Sequence, residues 1–167
     1  PAKELLQGPA TLKGFLKKED LEKIESPRSN WVISFTQRNN NVDRFLQQLS
    51  LVEWGWNDFV KALYYNQRTN DGPVCAWMAK KSLSWHQRFY ALLNVNLEHY
   101  SGLSFVQLIR LVNGEYGFGE QTFFPLNDLS SSHSVSQVDP AVYTTGTNKN
   151  EQKNARELLE KLGVKEF

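Results

Sequence analysis

The spacing of the apolar residues changes character near Gly102, and that change does most to set the fold class. Before it, Val42, Phe45, Leu46 and Leu49 fall at i, i+3, i+4 and i+7, and Trp56, Phe59, Val60, Leu63 and Tyr64 repeat the spacing. Such a stripe lets a helix bury one face. Asp43, Asn57 and Asp58 sit near the two helix starts, where short polar or acidic side chains satisfy free N–H groups. Turn residues over 68–73 predict a loop. A short helix is expected over 74–80. Ser84 is the expected cap of the next helix, which places Trp85, Phe89, Leu92 and Leu93 on one side. After Gly102 the pattern becomes strand-like. Residues 105–111 are β-rich, Asn113-Gly114 is a strong hairpin signal, 115–118 return, and 122–124 add an extended piece before Pro125.

The flanks are less regular. Residues 1–29 form a mixed lead-in with a breaker at Gly8-Pro9 and a short helix expected over 17–25, ended by Ser26-Pro27. Trp31, Ile33 and Phe35 then alternate with Val32, Ser34 and Thr36, as in a strand with one apolar face. Residues 127–149 are polar and are expected to be the least ordered stretch. Ala155, Leu158, Leu159 and Leu162 make a last one-faced helix, stopped by Gly163. The expectation is an α+β fold: four or five helices packed on a small, mostly antiparallel sheet, with a β-hairpin near 105–124. The strand at 30–36 is expected to join the hairpin's sheet. The lead-in 1–29 precedes a single α+β domain, 30–167. A helical part (37–100) packed against a β-containing part (101–167) is the other division that fits.

Composition narrows the function. With 167 residues, 40% of them hydrophobic, the chain can bury a core. Lys and Arg number 19 and Asp and Glu 18, a net charge of +1, which argues against a protein built mainly to grip phosphate backbones. One cysteine, Cys75, cannot form an internal disulfide or a cysteine-based metal site and fits a reducing compartment, so a cytoplasmic location is expected. It lies in an apolar run and reads as a small buried hydrophobe. No apolar run approaches the ~18 residues of a membrane span, and no signal-peptide pattern is present. The chain starts at Pro1 without methionine and ends just after a helix stop, so an internal segment of a longer protein is expected.

No catalytic constellation emerges from the residues. His86, His99 and His133 show no metal-pair spacing and no HExxH. His86 reads as a partly exposed helix histidine. There is no GxSxG elbow and no phosphate-cradling loop. Gly117-Phe118-Gly119 lacks a third glycine at dinucleotide spacing and fits strand or turn geometry. Glu19-Asp20, Asp58 and Glu157 with Glu160 suit solvated helix faces. No catalytic, cofactor-binding or metal-ligating residue is therefore assigned. The five tryptophans are the conspicuous feature, and core packing is their default role. Trp54 is the least periodic and the best candidate for an exposed contact. Lys80, Lys81 and Arg88 lie near Trp77 and Trp85, so these three cations and Trp54 are the candidate partner contacts.

The order of several pieces carries a resemblance. Residues 84–93 (Ser-Trp-His-Gln-Arg-Phe-Tyr-Ala-Leu-Leu) close the helical block. The 105–111 stretch, Asn113-Gly114-Glu115-Tyr116 and Thr122-Phe123-Phe124-Pro125 follow, and then residues 138–143 and a helix running into Leu162-Gly163-Val164. Residues 49–59, around Glu53-Trp54-Gly55-Trp56, look like a short link into a helix. Over about residues 30–167 this order resembles the region after the ATP-binding domain in large sacsin-like proteins of the GHKL ATPase superfamily, especially bacterial ones. The family's nucleotide site uses a helix asparagine for magnesium, a DxGxG loop and a glycine-rich lid, none of which occurs here. The resemblance implies a non-catalytic coupling or partner-binding module, with ATP and magnesium held only in an upstream domain. Its partners would be neighbouring domains of the parent chain or another protein. A nucleic-acid-binding module is the alternative, because helices followed by a hairpin match a winged-helix order. An enzyme with an unrecognised site ranks below both.

Overall fold

The computed structural model describes residues 4–7, 29–31, 52–53, 56–70, 78–97, 101–125 and 135–166. The expected helices over 17–25 and 42–49, the strand residues 32–36, Cys75, Trp54, His99 and His133 lie outside them. The chain divides into two compact units, Pro1–Ala62 and Leu63–Phe167. It is α+β, and helices are its main component.

In the first unit three short strands, β1 (Glu4–Gln7), β2 (Ser29–Trp31) and β3 (Val52–Glu53), form a parallel sheet in the order β2-β1-β3. Leu6 sits opposite Trp31 on one side and Val52 on the other. Parallel neighbours need long connections, and segments 8–28 and 32–51 are long enough to supply them. This corrects the expectation for Trp31: its strand pairs with β1, and the hairpin forms a separate sheet.

Helix α1 spans Trp56–Asn70 and buries Trp56, Phe59, Val60 and Leu63 of the stripe read from the sequence, while Tyr64, its fifth member, is exposed. It continues through Arg68, Thr69 and Asn70, where a loop is expected, because the true breakers, Gly72 and Pro73, come later. Of the helix expected over 74–80, the described part is a 3-10 turn, Met78–Lys80. Helix α2 (Leu83–Asn96) follows. Its cap is Ser82 rather than the expected Ser84: Ser82 is extended and its side chain accepts from the Trp85 N–H at 3.1 Å. Ser84 is already helical and only meets the Ser82 hydroxyl.

A 3-10 turn (Ser101–Phe105) occupies the start of the stretch expected to be extended. The antiparallel hairpin is shorter than its signal, with β4 (Ile109–Arg110) paired to β5 (Tyr116–Gly117). Its loop is a turn closed by the Gly114 N–H on the Leu111 carbonyl, and Gly114 takes φ 88°, the left-handed geometry that glycine adopts without strain. Asn113 supports it by accepting from the Glu115 N–H.

The polar stretch 127–149 is better ordered than its composition suggests, over its described part from residue 135. Val138 bridges Leu111, and Gln137 bridges Phe123. Asp139 then accepts from the Ala141 N–H at 3.0 Å and starts α3 (Ala141–Thr144). Helix α4 (Lys149–Lys161) is capped by Asn148, which accepts from the Glu151 N–H at 3.1 Å. It buries Ala155, Leu158 and Leu159 against α2, where most of the helix packing of this unit occurs.

Helix α4 ends as the sequence predicts. Gly163 is left-handed at φ 95°, its N–H bonds to Glu160, and the Val164 N–H reaches back to Leu159. These two bonds form a Schellman stop. A Cβ at Gly163 would lie 2.9 Å from Glu120 Cγ as well as in a strained backbone. Gly163→Ala is expected to cost about 1–2 kcal/mol, read as a lower urea midpoint at unchanged slope.

Candidate functional site

A buried group of polar side chains in the second unit lies between α2 and the hairpin. His86, one turn into α2, is fully buried at 0% exposure. Its Nδ1 is 2.7 Å from the Ser82 carbonyl oxygen, which can only accept, so Nδ1 carries the proton. Its Nε2 is 2.6 Å from the Tyr116 hydroxyl and therefore accepts from it. The two rings lie side by side, 5.8 Å apart and 25° from parallel. Burial lowers the His86 pKa, with Arg110 adding to the effect and the Ser82 carbonyl and Asp139 opposing it.

Tyr90, one turn further along α2, ties the same helix to β4. Its hydroxyl donates to the Leu108 carbonyl at 2.8 Å and accepts from the Arg110 N–H at 3.0 Å. Burial pushes its phenol far up, so it stays neutral. Arg110 places its guanidinium over the Tyr116 ring at 5.5 Å and donates to the Gly114 carbonyl at 2.7 Å. Its Nε is buried without a partner. The Arg110 carbonyl accepts from the Asp139 N–H. The four side chains thus join α2 to both hairpin strands, and the Arg110 backbone carries the link to the lead into α3.

A second polar row joins α2 to the chain around α4. Gln87, 1% exposed, accepts from the Thr145 N–H and donates to the Thr145 carbonyl and to Glu151, all within 2.9 Å. Two turns later, Asn94 donates to Asn154 and Glu157 and accepts from Lys161 Nζ at 2.8 Å. On the opposite edge of α4, Arg156 lies over Phe124 at 4.1 Å and Tyr143 at 5.3 Å and bonds Glu160 and Glu166.

The chemistry open to these groups is limited. A general base must reach a proton on a bound molecule. Both His86 nitrogens are engaged within the protein and its ring is buried, so in this geometry it ties α2 to the hairpin. This corrects the expectation of a partly exposed histidine. Gly117-Phe118-Gly119 proves to be strand and turn: Gly117 ends β5 and Gly119 opens a 3-10 turn, Gly119–Gln121. No group of three His, Cys, Asp or Glu among the described residues could hold a metal, and no described helix is long and apolar enough to cross a membrane.

Of the contacts proposed from sequence, Lys80 and Arg88 are exposed, and Lys81 lies over the Trp85 ring at 5.7 Å. Trp85 in turn stacks on the buried Phe89 at 5.1 Å. Lys81 and Trp85 therefore belong to one packed column at the start of α2, whereas Lys80 and Arg88 stand in solvent. Sequence reasoning missed His86, Gln87 and Asn94 as interior polar groups. The available signal was their place on the turns that carry Phe89 and Leu93, both fully buried, in a helix whose remaining faces are also largely covered. No protein-family model matches the chain, and no curated protein and no solved structure matches it.

Proposed function

We propose that this chain is a non-catalytic coupling or partner-binding module of a large, cytoplasmic, sacsin-like ATPase. The observation that carries the reading is the state of the interior polar groups. Among the described residues, buried side-chain nitrogens and oxygens are engaged within the protein, apart from Arg110 Nε. They serve to fix one element on another and leave no reactive group presented to a ligand. The order of motifs described above supplies the family. Large apolar side chains at the surface, Phe105 at 66% and Val112 at 59% exposure near the hairpin, supply contact area for a neighbouring domain.

The test uses the full open reading frame that contains this chain. ATP hydrolysis by the parent is expected, and amides of residues 101–112 should exchange more slowly in the parent than in the isolated chain. A parent without ATPase activity, in which those amides exchange equally in both forms, would refute the reading. Salt-sensitive binding of DNA or RNA by the isolated chain would replace it with the nucleic-acid alternative, in which Lys80, Lys81 and Arg88 make the contacts.

A further inference from the structure

We infer that the His86–Tyr116 pair is an acid-sensitive latch, which holds the hairpin Ile109–Gly117 on α2 when His86 is neutral and releases it when His86 is protonated. The inference begins with direction. The Ser82 carbonyl fixes the Nδ1–H, so Nε2 is the lone-pair nitrogen and the Tyr116 O–H points at it. A proton on Nε2 turns that acceptor into a second donor. The two groups then face each other donor to donor unless the Tyr116 hydroxyl turns round, in a side chain only 9% exposed.

The charged surroundings decide whether the imidazolium could be tolerated. From β4, Arg110 brings a like charge, held over the far partner of the pair at 5.5 Å from the Tyr116 ring. From α2 itself, Tyr90 is neutral and committed to Leu108 and Arg110. From β5, Tyr116 is the only titratable side chain that meets His86. Asp139, before α3, is the opposite charge that acts on it among the described residues, and its Oδ1 is already engaged by the Ala141 N–H. Burial and Arg110 outweigh it, so the folded state favours neutral His86. A depressed folded pKa fixes the sign. The latch is fully effective above the ordinary histidine value of 6.5 and weakens as pH falls below it.

The hairpin is a suitable moving part. It has two residue pairs of its own, and beyond them it is held by Tyr90, by His86, by the bridge from Leu111 to Val138 and by the backbone bonds of Val112 to Gln137 and of Asp139 to Arg110. Losing one of these ties opens it locally without requiring α4 to unpack.

The test is amide hydrogen exchange on the intact chain, corrected for the intrinsic effect of pH. Between about pH 7.5 and about pH 5.5, protection at Arg110, Leu111 and Gly114 should fall about ten-fold or more, with Leu162 in α4 little changed. His86→Gln, which cannot titrate, should abolish that difference. Flat protection in the native chain, an equal fall at Leu162, or an unchanged pH response in His86→Gln would each overturn the latch. If His86→Gln does not fold, the imidazole titration of the native chain, followed by NMR, decides. Its midpoint must coincide with that of hairpin opening, and separate midpoints refute the inference.

Discussion

Gly119→Ala is expected to destabilise the Leu63–Phe167 unit by about 3 kcal/mol or more, at the upper end of what overpacking costs. Gly119 is buried where the 3-10 turn after the hairpin meets the end of α4. An alanine Cβ there would stand 2.1 Å from the Leu162 carbonyl oxygen and 2.7 Å from its carbon. Those are backbone atoms, held by the Schellman stop that Gly163 completes, so no rotamer change relieves the overlap. Either the end of α4 moves away or the turn does. Gly117→Ala makes the comparison, because its nearest neighbours are side-chain atoms of Thr122 and Leu111 at 3.1 Å and 3.4 Å. Urea unfolding of both variants should place Gly119→Ala far below Gly117→Ala. Equal midpoints would mean that the close approach of Gly119 to Leu162 is wrong.

Tyr90→Phe is expected to cost about 3 kcal/mol, although it removes a single oxygen. That oxygen serves two backbone groups at once, the Leu108 carbonyl and the Arg110 N–H. Tyr90 is 0% exposed, so water has little access to replace it. The ring keeps its packing against Phe89, so no cavity contributes. A loss below about 1 kcal/mol would show that water reaches both groups after all. Exchange at the Arg110 amide, measured on the same variant, should rise with the loss of stability.

The parts of the fold that the sequence made legible are those whose causes are local. Ala155, Leu158, Leu159 and Gly163 give both the helix and its end, because the stripe, the stop and the left-handed turn lie within a few residues. Asn113-Gly114 gives the hairpin for the same reason. The interior was legible only in part, because its partners are far apart in the chain. His86 meets Tyr116 across thirty positions and Gln87 meets Thr145 across fifty-eight. A helix residue's spacing tells which side it is on but not whether a hairpin or a second helix covers that side. His86 therefore reads as a partly exposed helix histidine, although tertiary packing encloses it as it does Gln87 and Asn94. The candidate contacts were half legible: an exposed position for Lys80 and Arg88 follows from their chemistry, while the engagement of Lys81 by Trp85 depends on how the turn before α2 folds. The parallel pairing of β1 with β2 and β3 left no local trace at all.

The edge formed by Lys165 bears on how this unit is made. The Lys165 N–H bonds to the Thr122 carbonyl and its own carbonyl accepts from the Phe124 N–H, while Phe123 is tied on its other side to Ser136 and Val138. The backbone around Phe123 is thus completed by residues translated well after it. During synthesis the hairpin can form early, from neighbours in sequence, but the 122–124 segment waits for the whole of α4. Until then its unpaired groups and the apolar side chains beneath them stand open to other chains. The interval between translating Phe124 and Lys165 is therefore the window in which a holding chaperone would matter most to this protein.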